Sequence, residues 1–318
     1  MSAHESIQDK RDPRSAIAIA GPTASGKSEL GIKIALELNG EIVNCDSVQV
    51  YQGIEIATAK VPLEERRGIP HHLIDFVSPH INYTAGDWAR EATSVIKAIQ
   101  GRERVPILVG GTGLYLRALR NPFFASPTTD EELRGRLNQL REHRGAEHLH
   151  RLLRRIDPQS AEELYPRDWP RVQRAIEVRL QTGQAMSLQK GMRPEPHQSA
   201  LGLSLVVLNP PRDALYKRIN ERTEKHFAEG LVEEVRTLLA QGVPAASNAL
   251  GAHGYRRVVE YLQGKRSLES AIEQTKLDVR HYAKRQLTWL RRESGGQWFE
   301  GFGEDEEVQE AVRNVLSG

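Results

Sequence analysis

Cysteine is almost missing from this chain of 318 residues: Cys45 stands alone. A single thiol closes no intrachain disulfide, so a small disulfide-stapled scaffold is excluded, as is a zinc site built on several cysteines. Long apolar runs are missing too. No stretch approaches the roughly 20 apolar residues that a membrane-spanning helix needs. The N-terminus, MSAHESIQDKRDPRS, lacks the apolar centre of a secretion signal. A cytoplasmic protein with no membrane association is expected, its residues 1–14 forming a solvated tail. Net charge is also small, 44 Lys+Arg against 42 Asp+Glu for a formal +2. A chain that coats nucleic acid with its whole surface is thereby excluded, and any nucleic-acid surface must be local.

What is present suits a folded enzyme-sized protein. Apolar residues make up 39%, enough for a real core, and the length fits one large domain with an insertion or two modest ones. Residues 15–20 (SAIAIA) form a short apolar run ending at a glycine. A helix is predicted from about Lys27 to Leu38, with Leu30, Ile34 and Leu38 at helical spacing. Strands are predicted at 41–45, ending at Asp46, and at 105–109, again ending in glycines. This alternation points to a parallel α/β sheet with its sites at the strand carboxyl ends.

The character changes near Pro127. Between Arg134 and Arg179 there are eleven arginines, no lysine and seven acidic residues, in helical patterning without a strand signal. We expect an all-helical insertion domain over 127–199 and a core domain made of 15–126 and 200–318. The run 203–208 returns to the sheet. One helix is then predicted over about 212–241, others through Val258 and Leu268, and a basic one over about 276–292. The acidic stretch Glu304, Asp305, Glu306, Glu307 reads as a solvated helix face.

The clearest motif is Gly21, Pro22, Thr23, Ala24, Ser25, Gly26, Lys27, Ser28, which fits GxxxxGK[ST] between a predicted strand and a predicted helix. Backbone N–H groups of such a turn, together with the helix N-terminus, cradle an anion. Lys27 supplies a point charge for terminal phosphates, and Ser28 is placed to bind Mg²⁺. The fold class is therefore α/β, a P-loop NTPase-like parallel sheet flanked by helices. Yet the strand at 105–109 ends in Gly110, Gly111 and Thr112, where hydrolases of this class carry an aspartate for the metal. The carboxylate that stands at a strand end is Asp46. By position it is either a Mg²⁺ ligand or a general base; a helix-capping aspartate is the structural alternative. Thr58 and Lys60 add a hydroxyl and a cation nearby. The adjacent His71 and His72, with Asp75, read as a surface or loop feature rather than a metal pair.

GPTASGKS, DSVQVYQGIEIATAK, VGGTGLYLRAL, HGYRRV and AKRQLTWL, in that order along nearly the whole chain, resemble the tRNA dimethylallyltransferase (isopentenyl-tRNA transferase) family, bacterial type. The resemblance implies transfer of a dimethylallyl group from dimethylallyl diphosphate to the N6 amine of adenosine 37, beside the anticodon. It implies that the P-loop holds the diphosphate rather than ATP, with Mg²⁺, and that Asp46 is the base. Thr112 and Arg222 match positions near the reacting groups. The tRNA contacts it implies are Asp46, Ser47, Val48, Gln49, Thr112, Arg134, Arg171, Arg174, Gly254, Tyr255 and Arg256. The chain departs from the family pattern at Ala57, Pro170 and His253, none of which removes a charged or catalytic group.

Two basic surfaces fit RNA. Arg167, Arg171 and Arg174 are spaced for one helix face. From Lys276 to Arg292 there are six Lys/Arg against one Asp, with Tyr282 and Trp289 interleaved and Lys284 and Arg285 offered to RNA. Trp289 reads first as a packing residue. The expected partners are a tRNA anticodon stem-loop and dimethylallyl diphosphate, bound by a monomer. An ATP-dependent small-molecule kinase and a non-enzymatic P-loop RNA-binding regulator are the alternatives; neither explains AKRQLTW or the arginine-rich insertion.

Overall fold

A computed structural model describes residues 15–121, 127, 129–191 and 202–317; the expected tail over 1–14 lies outside them. The chain divides into two compact units, one of Met1–Arg120 with Ser199–Gly318, the other Asn121–Gln198. The first unit opens with β1 (Ala16–Ala20), α1 (Lys27–Glu37), β2 (Gly40–Asn44), β3 (His71–His72), α2 (Ala85–Gln100), β4 (Val105–Val109) and α3 (Gly113–Arg120). The second unit is helical, with α4 (Glu131–Arg144), α5 (Ala146–Ile156), α6 (Pro158–Glu163), α7 (Trp169–Thr182) and α8 (Met186–Gly191). The first unit then resumes with β5 (Leu203–Leu208), α9 (Arg212–Ala228), α10 (Leu231–Ala240), α11 (His253–Leu262), α12 (Leu268–Leu290), β6 (Gly296–Phe299) and α13 (Glu306–Ser317).

The six strands form one parallel sheet in the order β3-β2-β4-β1-β5-β6. Alternation along each strand divides its side chains between two apolar layers. Ala16, Ala18 and Ala20 join the layer containing Trp88, Leu116 and Tyr255. Ile17 and Ile19 join the layer containing Leu30, Ile34 and Val312. Both faces are covered by helices, as a parallel sheet requires, and the expected α/β class is the one found. The chain leaves β1 toward β2, fills the gap with β4, then crosses to β5 on the other side. The loops after β1, β2 and β4 therefore converge at the carboxyl ends beside this switch of direction, where open α/β sheets bind ligands.

Three local expectations need correcting. The helix predicted over 212–241 is two helices, because Gly230 adopts φ +101° and the chain turns there between α9 and α10. Arg167 precedes α7, which begins at Trp169 behind Asp168 with a proline in its first turn, so Arg167 shares no helix face with Arg171 and Arg174. The acidic stretch is exposed throughout but only half helical: Glu306 and Glu307 open α13, while Glu304 and Asp305 lie before it, Glu304 in the site described next.

Candidate active site

The loop between β1 and α1 is held in place from three directions. Gly26, at φ +82°, precedes α1 with no side chain capping the helix, so the first-turn N–H groups are free to face an anion. Gln286 of α12 accepts from Thr23 N at 2.8 Å and donates to Gly111 O at 3.0 Å, fastening the loop to the segment after β4. Gly303 N donates to Ser25 O at 2.9 Å, bringing the segment before α13 against the loop. Lys27 Nζ donates to Pro22 O at 2.6 Å, across its own loop. Burial draws the Lys27 ammonium down to about 8; Arg222 adds to the lowering, while Asp46 and Glu304 oppose it. The buried Ser25 hydroxyl meets no partner in the protein.

Asp46 follows β2 directly. Its Oδ1 accepts from Val48 N at 2.9 Å and Gln49 N at 3.4 Å, a local turn that fixes the carboxylate. Its own N–H donates to Asn44 Oδ1 at 3.1 Å. Thr112, after β4, accepts from Ser47 N at 3.1 Å through its hydroxyl, and its side chain also bonds Tyr282. Burial, then the Asp46 charge, raises the Tyr282 phenol above its usual value. Arg222 arrives from α9. Burial lowers its guanidinium from the usual value, and the Asp46 charge opposes the shift. Arg222 Nε reaches His226 Nε2 at 3.4 Å, one turn along. Burial, with Arg222 and Lys225, pushes His226 down to about 4, so at neutral pH its imidazole accepts and orients the guanidinium.

Two cavities open here. One, of about 560 Å³, runs along the P-loop past Lys27, Ser28 and Arg218. The other, of about 590 Å³, is lined by Tyr83, Thr112, Phe227, Leu231, His253 and Tyr282. Thr23, Ala24, Asp46, Thr58 and Arg222 border both. A polar end lined by the loop after β1 thus meets a more apolar, aromatic end at a carboxylate and an arginine.

A family model described as IPP transferase matches residues 49–293. The chain belongs to the IPP transferase family. It is 47% identical to the tRNA dimethylallyltransferase of Solibacter usitatus over 95% of this chain and 97% of that one. It is 45% identical to that of Geobacter metallireducens over 93% and 96%. Among solved structures it resembles the tRNA isopentenylpyrophosphate transferase of Bacillus halodurans, with a TM-score of 0.69, 36% identity, and 95% and 97% of the two chains covered. It also resembles a eukaryotic dimethylallyltransferase described as acting on tRNA, with a TM-score of 0.79 and 28% identity over 95% of this chain and 77% of that one.

Within this IPP transferase fold, Lys27, Asp46, Thr112 and Arg222 converge on the cavities. Gln49, Thr58, Lys60 and Gly254 line them too, but with their groups engaged by the protein itself. Tyr255 is fully buried, its hydroxyl donating to Glu234 at 2.5 Å and accepting from Ala57 N at 3.2 Å, so its side chain offers RNA no surface. Gly254 packs beneath Leu231. Gln49 donates to the carbonyls of Thr58 and Ala59 at 2.9 and 3.2 Å. At the cavity wall, the Thr58 hydroxyl donates to Glu55 O, and the Lys60 ammonium is buried against Glu55 and Asp75. His71 and His72 form edge strand β3, with His72 on Glu41. Trp289 packs on Gly113, whose lack of a side chain admits the indole. Lys284, Arg285, Arg171 and Arg256 are exposed. In the helical unit, Arg134 and Arg174 both bond the fully buried Glu177, at 2.9 and 3.2 Å.

Sequence reasoning missed His226, Gln286, Arg218 and Glu304. The first was legible as a histidine four residues beyond Arg222 on one helix. Gln286 lay inside a quoted motif. Glu304 gave no signal beyond its charge.

Proposed function

We propose that the protein is a tRNA dimethylallyltransferase that moves the prenyl group of dimethylallyl diphosphate onto the N6 amine of adenosine 37. The observation that carries this reading is the meeting of the two cavities at Asp46 and Arg222. Five buried carbons at ~0.8 kcal/mol each give the donor at most about 4 kcal/mol of apolar affinity. The diphosphate must supply the rest, which suits the loop N–H groups, Lys27, Arg222 and the unpartnered Ser25 hydroxyl. The acceptor base, flipped from its stack at a cost of a few kcal/mol, enters from the aromatic end.

As the N6–C1 bond forms, the C1–O bond breaks and its electrons leave with pyrophosphate. Lys27 and Arg222 stabilise that developing charge. Asp46, fixed by the 46–49 turn, accepts the N6 proton. Thr112, shared with Ser47 and Tyr282, holds the acceptor side of the carboxylate segment. The residues fit Mg²⁺: Ser28 lines the P-loop cavity beside Lys27, where its hydroxyl would hold the ion against the diphosphate oxygens and leave Asp46 to act as the base. Substrate phosphates supply much of the coordination of this ion in such sites; when bound, it neutralises diphosphate charge. Exposed Arg171, Arg256, Lys284 and Arg285 are the proposed backbone contacts to the anticodon stem-loop, with Arg134 and Arg174 acting through their fixed positions on Glu177. The protein acts as a monomer in the cytoplasm.

The test is a transfer assay with Mg²⁺, labelled dimethylallyl diphosphate and unmodified tRNA, with labelled ATP as a parallel donor. Label is expected on tRNA from the prenyl donor alone; phosphate leaving ATP without prenyl transfer would replace this reading with a kinase. Asp46→Ala should lower turnover by about 10²–10⁴-fold, the range of a missing general base, with tRNA affinity nearly unchanged. Near-normal turnover would remove Asp46 from the base role.

A further inference from the structure

Arg218 stands one turn before Arg222 on α9 and lines the same P-loop cavity. It is tied to the loop: its NH1 lies 3.5 Å from Ala24 O, and its guanidinium stacks on Phe302, 3.9 Å from the ring centroid. The same guanidinium pairs with Glu304 at 3.1 Å. Glu304 in turn is pressed against the loop: its carboxylate would collide with any side chain at Gly26, and Gly303 lies against the Gly26 carbonyl. Its charge reaches Lys27. Gln309 Nε2, from α13, holds Gly303 O at 2.9 Å, so the carboxylate is presented by a built segment.

A carboxylate beside the P-loop is a negative charge next to a site made for negative charge. With a diphosphate bound, that arrangement is repulsive, and the cation already paired with the carboxylate is Arg218, at 3.1 Å. We propose that Arg218 is a second diphosphate-binding arginine, and that Glu304 is its resting counter-ion, displaced when the diphosphate arrives. Arg218 then turns from Glu304 to the diphosphate oxygens while its stem stays stacked on Phe302. On product formation the exchange reverses, and Glu304 helps to expel pyrophosphate. Arg218 and Glu304 are each about half-exposed, 41% and 45%, so the pair is weak enough to be exchanged. The proposal rests on the reading of the loop as the diphosphate site.

The test is equilibrium binding of inorganic pyrophosphate to the intact protein, with and without Mg²⁺, alongside product inhibition by pyrophosphate in the transfer assay. Glu304→Gln keeps the shape and removes the charge. It should tighten pyrophosphate binding by roughly three- to tenfold, the scale of a half-exposed ion pair plus one removed like charge, and lower the inhibition constant in parallel. Arg218→Gln keeps a stem over Phe302 and should weaken binding by about tenfold, as for one charge-assisted hydrogen bond. Unchanged binding in either variant overturns the proposal while the loop reading stands. Weaker binding in Glu304→Gln only when Mg²⁺ is present makes Glu304 a metal ligand and also overturns it. A wild-type protein that binds no pyrophosphate sinks the loop reading and this proposal with it.

Discussion

Lys27 carries a charge that its surroundings only partly support. Burial and Arg222 favour the neutral amine, Asp46 and Glu304 the ammonium, and the balance lies at about 8. The ligand settles the matter, because a diphosphate beside Lys27 favours the charged form. Affinity for the donor should therefore be full below pH 8 and fall as pH rises through it. The quantity that reports ionisation of the free enzyme is kcat/KM. For dimethylallyl diphosphate it should be level below about pH 8 and decline above, approaching tenfold per pH unit. Lys27→Arg, whose guanidinium stays protonated, should remove that limb while lowering the plateau. A limb that survives the substitution belongs to another group. The residue scale is also where the sequence was least legible. Lys27 and Asp46 announce themselves because one sits in a spaced motif and the other at a strand end. Glu304 and Gln286 act through contacts that span hundreds of residues, and no local pattern encodes those.

At the scale of elements, apolar pattern was a good guide wherever both faces of a segment are buried. The strands at 105–109 and 203–208 coincide with their predicted bounds because each is a short run rich in β-branched residues, VPILV and LSLVVL, whose last four residues are buried in the sheet. β6 was missed because its residues, GQWF, form a four-residue edge strand of mixed polarity. α9 and α10 were fused because their apolar spacing continues across Gly230. Helix α7 shows a different limit. Its arginines suggested an RNA face, yet the fully buried Glu177 takes up one of them, Arg174, together with Arg134 of α4. Arg134 is bidentate, at 2.9 and 3.0 Å, and the carboxylate raises its guanidinium above the usual value. Arg171, 71% exposed, is paired with Asp168 at 3.1 Å, a surface partner weak enough to be exchanged for phosphate. Glu177→Gln should thus cost the helical unit roughly 1.5–3 kcal/mol, the range for hydrogen bonds to charged groups, measured as a lower denaturation midpoint. Arg171→Ala should leave that midpoint in place and make tRNA binding less salt-dependent. The reverse pattern would mean that Glu177 is dispensable to the fold.

For the whole molecule, the relevant fact is that each unit has its own apolar core. Leu149, Leu153, Val172 and Ile176 centre the helical unit, while the two layers on the sheet draw on the other unit alone. The phosphate-binding loop, Asp46, Arg222 and both cavities lie wholly in the sheet unit. With a net charge of only +2, the molecule has no general attraction for RNA, so affinity must come from local cations, many of them arginines of the helical unit. Replacing residues 121–198 by a short glycine-serine linker should therefore separate the two substrates. The shortened protein is expected to unfold cooperatively and to bind pyrophosphate as the whole chain does. Its affinity for tRNA should fall, and the dependence of that affinity on salt should become shallower by about 0.7–0.9 in log–log slope for each phosphate that the protein no longer neutralises. Filter binding at several salt concentrations measures both quantities. If affinity and slope both survive the deletion, RNA is held by the sheet unit, and the exposed cations of α11 and α12 become the surface that accounts for it.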